Sequence, residues 1–260
     1  MLIAAAVCPH PPLLIPEATG RSGPGEEELD RLRTACRQAV AALRGAAADV
    51  IVVVGGAERT RDYPSDEPGS LRAFGVPFPA SDDRRGAANS AVLPLSLTIG
   101  RWLLTRPPIG GAAPGGELGA VWWGIAADAP TGECLELGEK IAALAPRVAL
   151  LVMGDGPGGR ARGAPGVRDV AADRYDAEVA AALAAPNPRA LAALDPARDD
   201  GLFIAGRAAW QVLAGAAGED RFDATLDYVS APFEVTYFVA TWRGRAESSG
   251  HQQLSARGWA

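Results

Sequence analysis

The fold class is indicated most clearly by the segment Asp49-Val50-Ile51-Val52-Val53-Val54-Gly55-Gly56. Its apolar residues form a continuous β-branched run, which is typical of a central strand covered on both faces. The paired glycines at its end favour a loop at that point. The run therefore predicts a strand in the middle of an α/β sheet.

Before and after this strand in the sequence, further apolar runs alternate with segments of helical periodicity. The predicted strands cover 2–7, 50–54, 119–123, 147–153, 224–229 and 235–242, and the predicted helices cover 26–44, 95–104, 131–145, 169–184, 188–194 and 198–216. The alternation predicts a three-layer α/β/α architecture with a central mixed, mostly parallel sheet. The last two strands are separated by so short a link that we expect them to be antiparallel.

The composition limits the organisation and the classes of partner. The chain has 260 residues with a net charge of −6, and no linker divides it. We expect a single domain over 1–243, with a long irregular excursion at 60–92 and a polar tail over 244–260. An acidic chain without a basic patch is a poor candidate for nucleic acid. No apolar run approaches the length of a membrane span, so we expect no membrane partner.

The cysteines and the first residues bear on location. Cys8, Cys36 and Cys134 lie far apart with no Cys-x-x-Cys spacing, which favours reduced thiols over a disulfide framework or a zinc site. The apolar start of the chain has no positively charged region before it and stops at Pro9, which indicates a buried first strand and not a signal peptide. We expect a cytoplasmic protein.

Loops at the ends of the predicted strands contain the residues that suggest chemistry. His10 follows the first strand, Glu58 follows the second, and Asp155 follows the strand at 147–153. Glu234 precedes the last strand, which starts at the same edge if it runs antiparallel. Because ligands of open α/β sheets bind beyond the carboxyl ends of the strands, these four side chains are expected to converge on one site.

At three places the sequence resembles the catalytic chains of the class III extradiol ring-cleavage dioxygenases, a superfamily that includes the protocatechuate 4,5-dioxygenase β-subunit and the Memo proteins. The matching segments are Pro9–Pro16 after the first strand, Asp49–Val54, and Phe233–Phe238. The resemblance implies that His10 and Glu234 are metal ligands. It also implies that Glu58 stands where the family has a second ligand histidine. Asp155 and Arg160 lie in the segment where the family has its acid/base histidine.

The chain departs from the family in its histidines. The family uses three, whereas this chain has two, and one of them, His251, lies in the polar tail. A site of His10, Glu58 and Glu234 is more anionic than two histidines with one carboxylate. The resemblance implies Fe(II), but this more anionic set of ligands favours Mn²⁺, Mg²⁺ or Zn²⁺ more than the family's site does. Loss of the metal altogether is also open.

Each of these residues has a plainer interpretation. His10 is then a structural histidine of a proline-rich turn, Glu58 forms a surface ion pair with a neighbouring arginine, and Asp155 positions a backbone group. The glycine-rich run Gly154–Gly159 is either a tight turn or a set of amides that bind an anion. Glu234 needs a partner if it is buried, because an unpaired buried carboxylate is unfavourable.

The expected function is that of a divergent extradiol dioxygenase-like protein with an altered or degenerate metal site. As an enzyme it oxidises a small catecholic aromatic, with Asp155 and Arg160 as the catalytic candidates. The alternatives are a non-catalytic relative that binds a small ligand or a protein, and a metal-dependent hydrolase. The family resemblance also suggests a homodimer.

Overall fold

The structure is a computed structural model, and it describes residues 1–19, 25–76, 92–106, 119–158 and 169–245. Its strands are β1 (Leu2–Cys8), β2 (Val50–Ala57), β3 (Arg61–Tyr63), β4 (Ala120–Ala126), β5 (Val148–Met153), β6 (Phe222–Ser230) and β7 (Tyr237–Gly244). Its helices are α1 (Pro16–Thr19), α2 (Glu26–Arg44), α3 (Leu95–Thr105), α4 (Thr131–Ala142), α5 (Val170–Ala184), α6 (Pro188–Ala192), α7 (Asp199–Leu202) and α8 (Arg207–Ala217).

The strands form one mixed sheet with the order β3-β4-β2-β5-β1-β7-β6. The four central strands, β4, β2, β5 and β1, are parallel, while β3 and β7 run antiparallel to their neighbours. The last two strands pair antiparallel, as the short link between them predicts. The expected α/β architecture with a mostly parallel core is confirmed.

Helices cover both faces of the sheet and divide the core in two. One cluster of buried side chains joins the sheet to α4, α5, α6 and α8, and the other joins it to α2 and α3. We call these the α8 face and the α2 face of the sheet. β2 supplies Val52 and Val54 to the first and Ile51 and Val53 to the second, which explains its continuous apolar sequence.

The predicted helix at 198–216 is wrong in one respect, because the chain is interrupted between α7 and α8. Phe203 adopts a left-handed conformation with φ of 52° and ends α7. Arg207, which is 1% exposed, then starts α8. It donates from Nε to Asp199 Oδ2 (2.6 Å) and from its terminal nitrogens to backbone oxygens of the β4–α4 loop and to Gln211. This network fixes the loops at the carboxyl edge of the sheet.

Close backbone contact joins α4 and α8, which are the two helices most extensively packed on one another. A Cβ atom built on Gly215 would lie 2.1 Å from the carbonyl oxygen of Leu135, and one on Gly138 would lie 2.2 Å from that of Val212. Because real Cβ contacts are never this short, only glycine permits this helix separation. The excursion expected at 60–92 contains β3, and residues 77–91 of it lie outside the described residues.

Two further observations concern the chain as a whole. The predicted tail over 244–260 lies outside the described residues from residue 246 onward. Within the described ranges, no helix has both the length and the apolar composition that crossing a membrane requires.

Candidate functional site

The registers of three neighbouring strands bring His10, Asp155 and Tyr237 to one level. Cys8 at the end of β1 lies opposite Met153 at the end of the parallel strand β5, so two residues further on His10 is level with Asp155. β7 is antiparallel to β1, with Val7 opposite Ala240, and the same register places His10 level with Tyr237. The carboxyl edge of the sheet therefore presents an imidazole between a carboxylate and a phenol.

These three residues also share one face of the sheet. Cys8, Met153 and Val239 belong to the core cluster on the α2 face. Because successive side chains of a strand point to opposite faces, residues two positions further along point to the same face. His10, Asp155 and Tyr237 therefore form the next row of side chains on the α2 face of the sheet.

His10 and Asp155 contact one another directly. The backbone N–H of His10 donates to Oδ1 of Asp155 at 2.7 Å, and Nδ1 of the imidazole lies 3.5 Å from the same oxygen. The two side chains are only 10% and 14% exposed. Nδ1 is buried and makes no hydrogen bond, so Asp155 is the group that faces it. The carboxylate thereby holds the backbone of His10 and faces its imidazole ring.

The side chains behind this pair are protonated at neutral pH. Burial raises the pKa of the Tyr237 phenol, and the nearby Asp155 carboxylate raises it further. Burial also raises the pKa of the Cys36 thiol strongly, with contributions from Cys8 and Asp155. Tyr237 and Cys36 therefore stand as neutral groups near Asp155.

Backbone hydrogen bonds hold the loop that carries Asp155. The amide of Gly154 donates to the carbonyl of Cys8 (3.0 Å), that of Gly156 to Thr236 (2.8 Å), and that of Gly158 to Leu202 (2.9 Å). A Cβ on Gly156 would lie 2.8 Å from the Thr236 carbonyl oxygen, so the loop lies against β7. These three amides are already paired with distant carbonyl groups, so they are not free to bind an anion, and residues 154–158 form an irregular connection without a tight turn.

The loop that carries His10 is held by Arg33 of α2. The Arg33 side chain is 9% exposed and forms an ion pair with Glu26 (2.5 Å). It donates from Nε to the carbonyl of Leu14 and from Nη2 to that of Leu13, each at 3.0 Å. A buried guanidinium thus ties the proline-rich segment after His10 to the helix packed over the site.

Glu58 and Glu234, the carboxylates expected to join His10, are exposed at the surface. Gly55 faces Ser96 of α3, and Gly56 faces the carbonyl of Ala205 on the other side of the sheet. Ala57 therefore returns to the α2 face, level with Asp155, and Glu58 follows it in a bend. Glu234 lies in the β6–β7 connection with φ of 61°, outside the strand.

These placements bear on the expected metal centre. Among the described residues, no three His, Cys, Asp or Glu side chains form a group that could hold a metal ion. His10, Glu58 and Glu234 are all described, so the structure does not bring this trio together. Metal binding by His10, Glu58 and Glu234 stays a prediction from the resemblance. Arg160, the other catalytic candidate, lies outside the described residues.

Two strained backbone positions flank the Asp155 loop. Phe203 and Glu234 are non-glycine residues with positive φ, at 52° and 61°. A Cβ on Gly158 would lie 3.4 Å from the Phe203 carbonyl oxygen and 3.6 Å from Val235, the residue after Glu234. Such conformations are unfavourable for large side chains and concentrate at functional sites. The Phe203 side chain is 44% exposed beside this loop.

No protein-family model matches this chain, and no curated protein matches it. Among solved structures, 18 chains match. One is the crystal structure of the uncharacterized protein JW3007 from Escherichia coli K12, which is 14% identical over 92% of this chain and 99% of that chain, with a TM-score of 0.48. At this identity and score the likeness supports no conclusion about activity or ligands.

Proposed function

We propose that this protein is a divergent relative of the class III extradiol dioxygenases that binds a small catecholic aromatic without cleaving its ring. The observation that carries the proposal is the contact between His10 and Asp155 at the carboxyl edge, while Glu58 and Glu234 are exposed. The edge keeps polar groups suited to a phenolic ligand but lacks an assembled three-ligand centre among the described residues.

The polar groups suit hydroxyl recognition. A catechol hydroxyl is a donor as well as an acceptor, and the Asp155 carboxylate accepts such a donor with a charge-assisted hydrogen bond. The imidazole of His10 stands beside it and provides a second polar contact. Because the pKa of Tyr237 is raised, its phenol stays neutral and adds no second negative charge beside the Asp155 carboxylate.

The surroundings suit a flat apolar ring. Phe233 and Val235 of the β6–β7 connection are half-buried against the α2 face, and the Phe233 ring lies beside Gly25 at the start of α2. Phe203 is exposed near Gly158 of the Asp155 loop. Ligand sites of this kind combine an apolar lining with a few oriented polar groups.

The experiment is a calorimetric titration with catechol, using 1,2-dimethoxybenzene as a matched ligand that has the same ring but no hydroxyl donor. We expect catechol to bind and the dimethoxy compound to bind at least about tenfold more weakly, because it leaves Asp155 without a donor. His10→Ala and Asp155→Asn should each weaken catechol binding by about tenfold. Arg189→Ala, which removes an exposed surface residue, is the control and should bind as the original protein does.

A second arm separates binding from ring cleavage. The protein is loaded anaerobically with Fe²⁺, mixed with catechol and exposed to air, and the visible spectrum is followed. A coloured ring-opened product that disappears in His10→Ala would overturn the non-catalytic proposal in favour of a dioxygenase. Failure of catechol to bind in the first arm would overturn it altogether.

A further inference from the structure

A groove of about 540 Å³ lies at the amino edge of the sheet, opposite the site described above. It runs between the start of β1, the end of α2 and the end of β7. Its aliphatic and backbone walls come from Leu2, Ile3, Ala46 and Gly244. A cavity of this volume is in the range of small-molecule sites.

Arginines from two strand ends surround the groove. Arg147 precedes β5, Arg243 lies near the end of β7, and Arg245 follows β7. Two carboxylates lie against these arginines: Asp49 accepts from the Arg147 backbone N–H at 2.8 Å, and Asp223 pairs with Arg245. The three arginines outnumber them, so this edge is positive on a protein whose net charge is −6. A planar guanidinium recognises a carboxylate through two parallel hydrogen bonds, which a lysine does not do.

Two of these arginines retain open donors. Arg147 donates from Nη2 to the carbonyl of Ala46 at 3.0 Å, and its Nη1 and Nε have no partner among the described residues. Arg243 has neither an ion pair nor a hydrogen bond from its guanidinium within the described part of the chain. Asp223 lies opposite Arg243 in the β6–β7 ladder but is paired with Arg245 at 2.5 Å.

We propose that this groove binds a small organic carboxylate with an aliphatic tail. Arg243 and Arg147 contact the carboxylate, and the tail lies along Ile3, Ala46 and Gly244. Arg245 contributes less, because Asp223 already neutralises it. The inference concerns a second site and does not depend on the proposed function of the carboxyl edge.

The experiment is an NMR titration of the whole protein with octanoate, following the backbone amides of Ile3, Ala46 and Gly244. We expect saturable shifts at these amides with a dissociation constant on the order of 1 mM or tighter. Octanol has the same tail without the charge, and acetate has the charge without the tail. Each should bind at least about fivefold more weakly if both parts of the groove contribute.

Single substitutions then assign the contacts. Arg243→Gln should weaken octanoate binding about tenfold, and Arg245→Gln should change it less than threefold, since its partner Asp223 lowers its contribution. Arg189→Gln is the remote control, and the melting temperature of each variant shows whether it is folded. Octanol binding as tightly as octanoate, unchanged affinity in Arg243→Gln, or shifts confined to the carboxyl edge would each overturn the proposal.

Discussion

Replacing Asp155 by alanine is the most informative single change at the carboxyl edge. Asp155 Oδ1 is the acceptor for the part-buried backbone N–H of His10 at 2.7 Å, and it lies 3.5 Å from Nδ1 of the same residue. Alanine leaves that N–H without a partner, which costs about 1–3 kcal/mol. We therefore expect Asp155→Ala to lower the free energy of unfolding by about 2 kcal/mol.

The matched substitution is Asp155→Asn, which keeps an oxygen acceptor in the same position but removes the charge. Charge-assisted hydrogen bonds contribute about 1 kcal/mol more than neutral ones, so we expect Asp155→Asn to cost about 1 kcal/mol. Urea denaturation measures both values. With a slope of about 3 kcal/mol per molar urea, the midpoint should fall by about 0.7 M for alanine and 0.3 M for asparagine.

The loop itself is held by the backbone bonds of Gly154, Gly156 and Gly158, so it should keep its conformation in both variants. The ranking of the two variants is therefore the decisive result. If Asp155→Ala is as stable as the original protein, or more stable than Asp155→Asn, then the carboxylate does not orient His10 and the reasoning about this pair is refuted.

Three other predictions concern the frame of the site. Arg207→Ala should cost about 3–5 kcal/mol in urea denaturation because it leaves the Asp199 carboxylate without its 2.6 Å partner, and a loss below 1 kcal/mol would contradict this. Gly215→Ala should lower the melting temperature by several degrees, since its Cβ would lie 2.1 Å from the Leu135 carbonyl oxygen. The same change at a glycine whose Cβ would meet no atom within 4 Å should leave the melting temperature unchanged. Burial raises the pKa of the Cys134 thiol to about 11 from 9.0, so this thiol loses its proton at a lower pH in the unfolded state than in the folded state. The free energy of unfolding therefore falls as the pH rises above 9, by about 2 kcal/mol at pH 10.5. Comparing denaturation of the protein with that of Cys134→Ala at pH 8.5 and 10.5 tests this, and equal pH dependence in the two would contradict it.

Much of the fold is predictable because its signals are local. The helical spacing of apolar residues from Glu26 to Arg44 predicts α2 with its observed bounds. The β-branched run at Val50–Val54 predicts the middle of β2 but not its last residues, Gly55–Ala57, because glycine and alanine have low strand propensity. Those residues stay in the strand because β4 pairs with them along their whole length.

The break before α8 was not predicted, because its cause lies elsewhere in the chain. The apolar spacing from residue 198 to 216 continues across it, and the nearby residues that favour a helix end are Gly201 and Gly206. Arg207 begins the new helix where its side chain reaches carbonyl groups of the β4–α4 loop, about 80 residues away in sequence. Contacts at that separation are decided by tertiary packing.

The site was predictable in part. His10 and Asp155 were expected at one edge because both follow parallel strands, and the structure places them in contact. Tyr237 was missed, although counting the register from the antiparallel partner strand would have found it. Glu58 was expected at this edge because it follows β2 and stands where the family has a histidine, and that expectation takes no account of the alternation of faces along the strand. Whether His10, Glu58 and Glu234 bind a metal stays a prediction that metal analysis will test.

The alternation of side chains along β2 has a consequence for protein engineering. Ala57 is the last residue of β2 and lies on the α2 face. Gly55 pairs with Met153 in the ladder, so Ala57, two residues further on, is level with Asp155. An imidazole installed there would enter the same row as His10, whereas one installed at residue 58 would start from the surface. Reconstruction of a histidine-rich centre in this scaffold should therefore begin with Ala57→His.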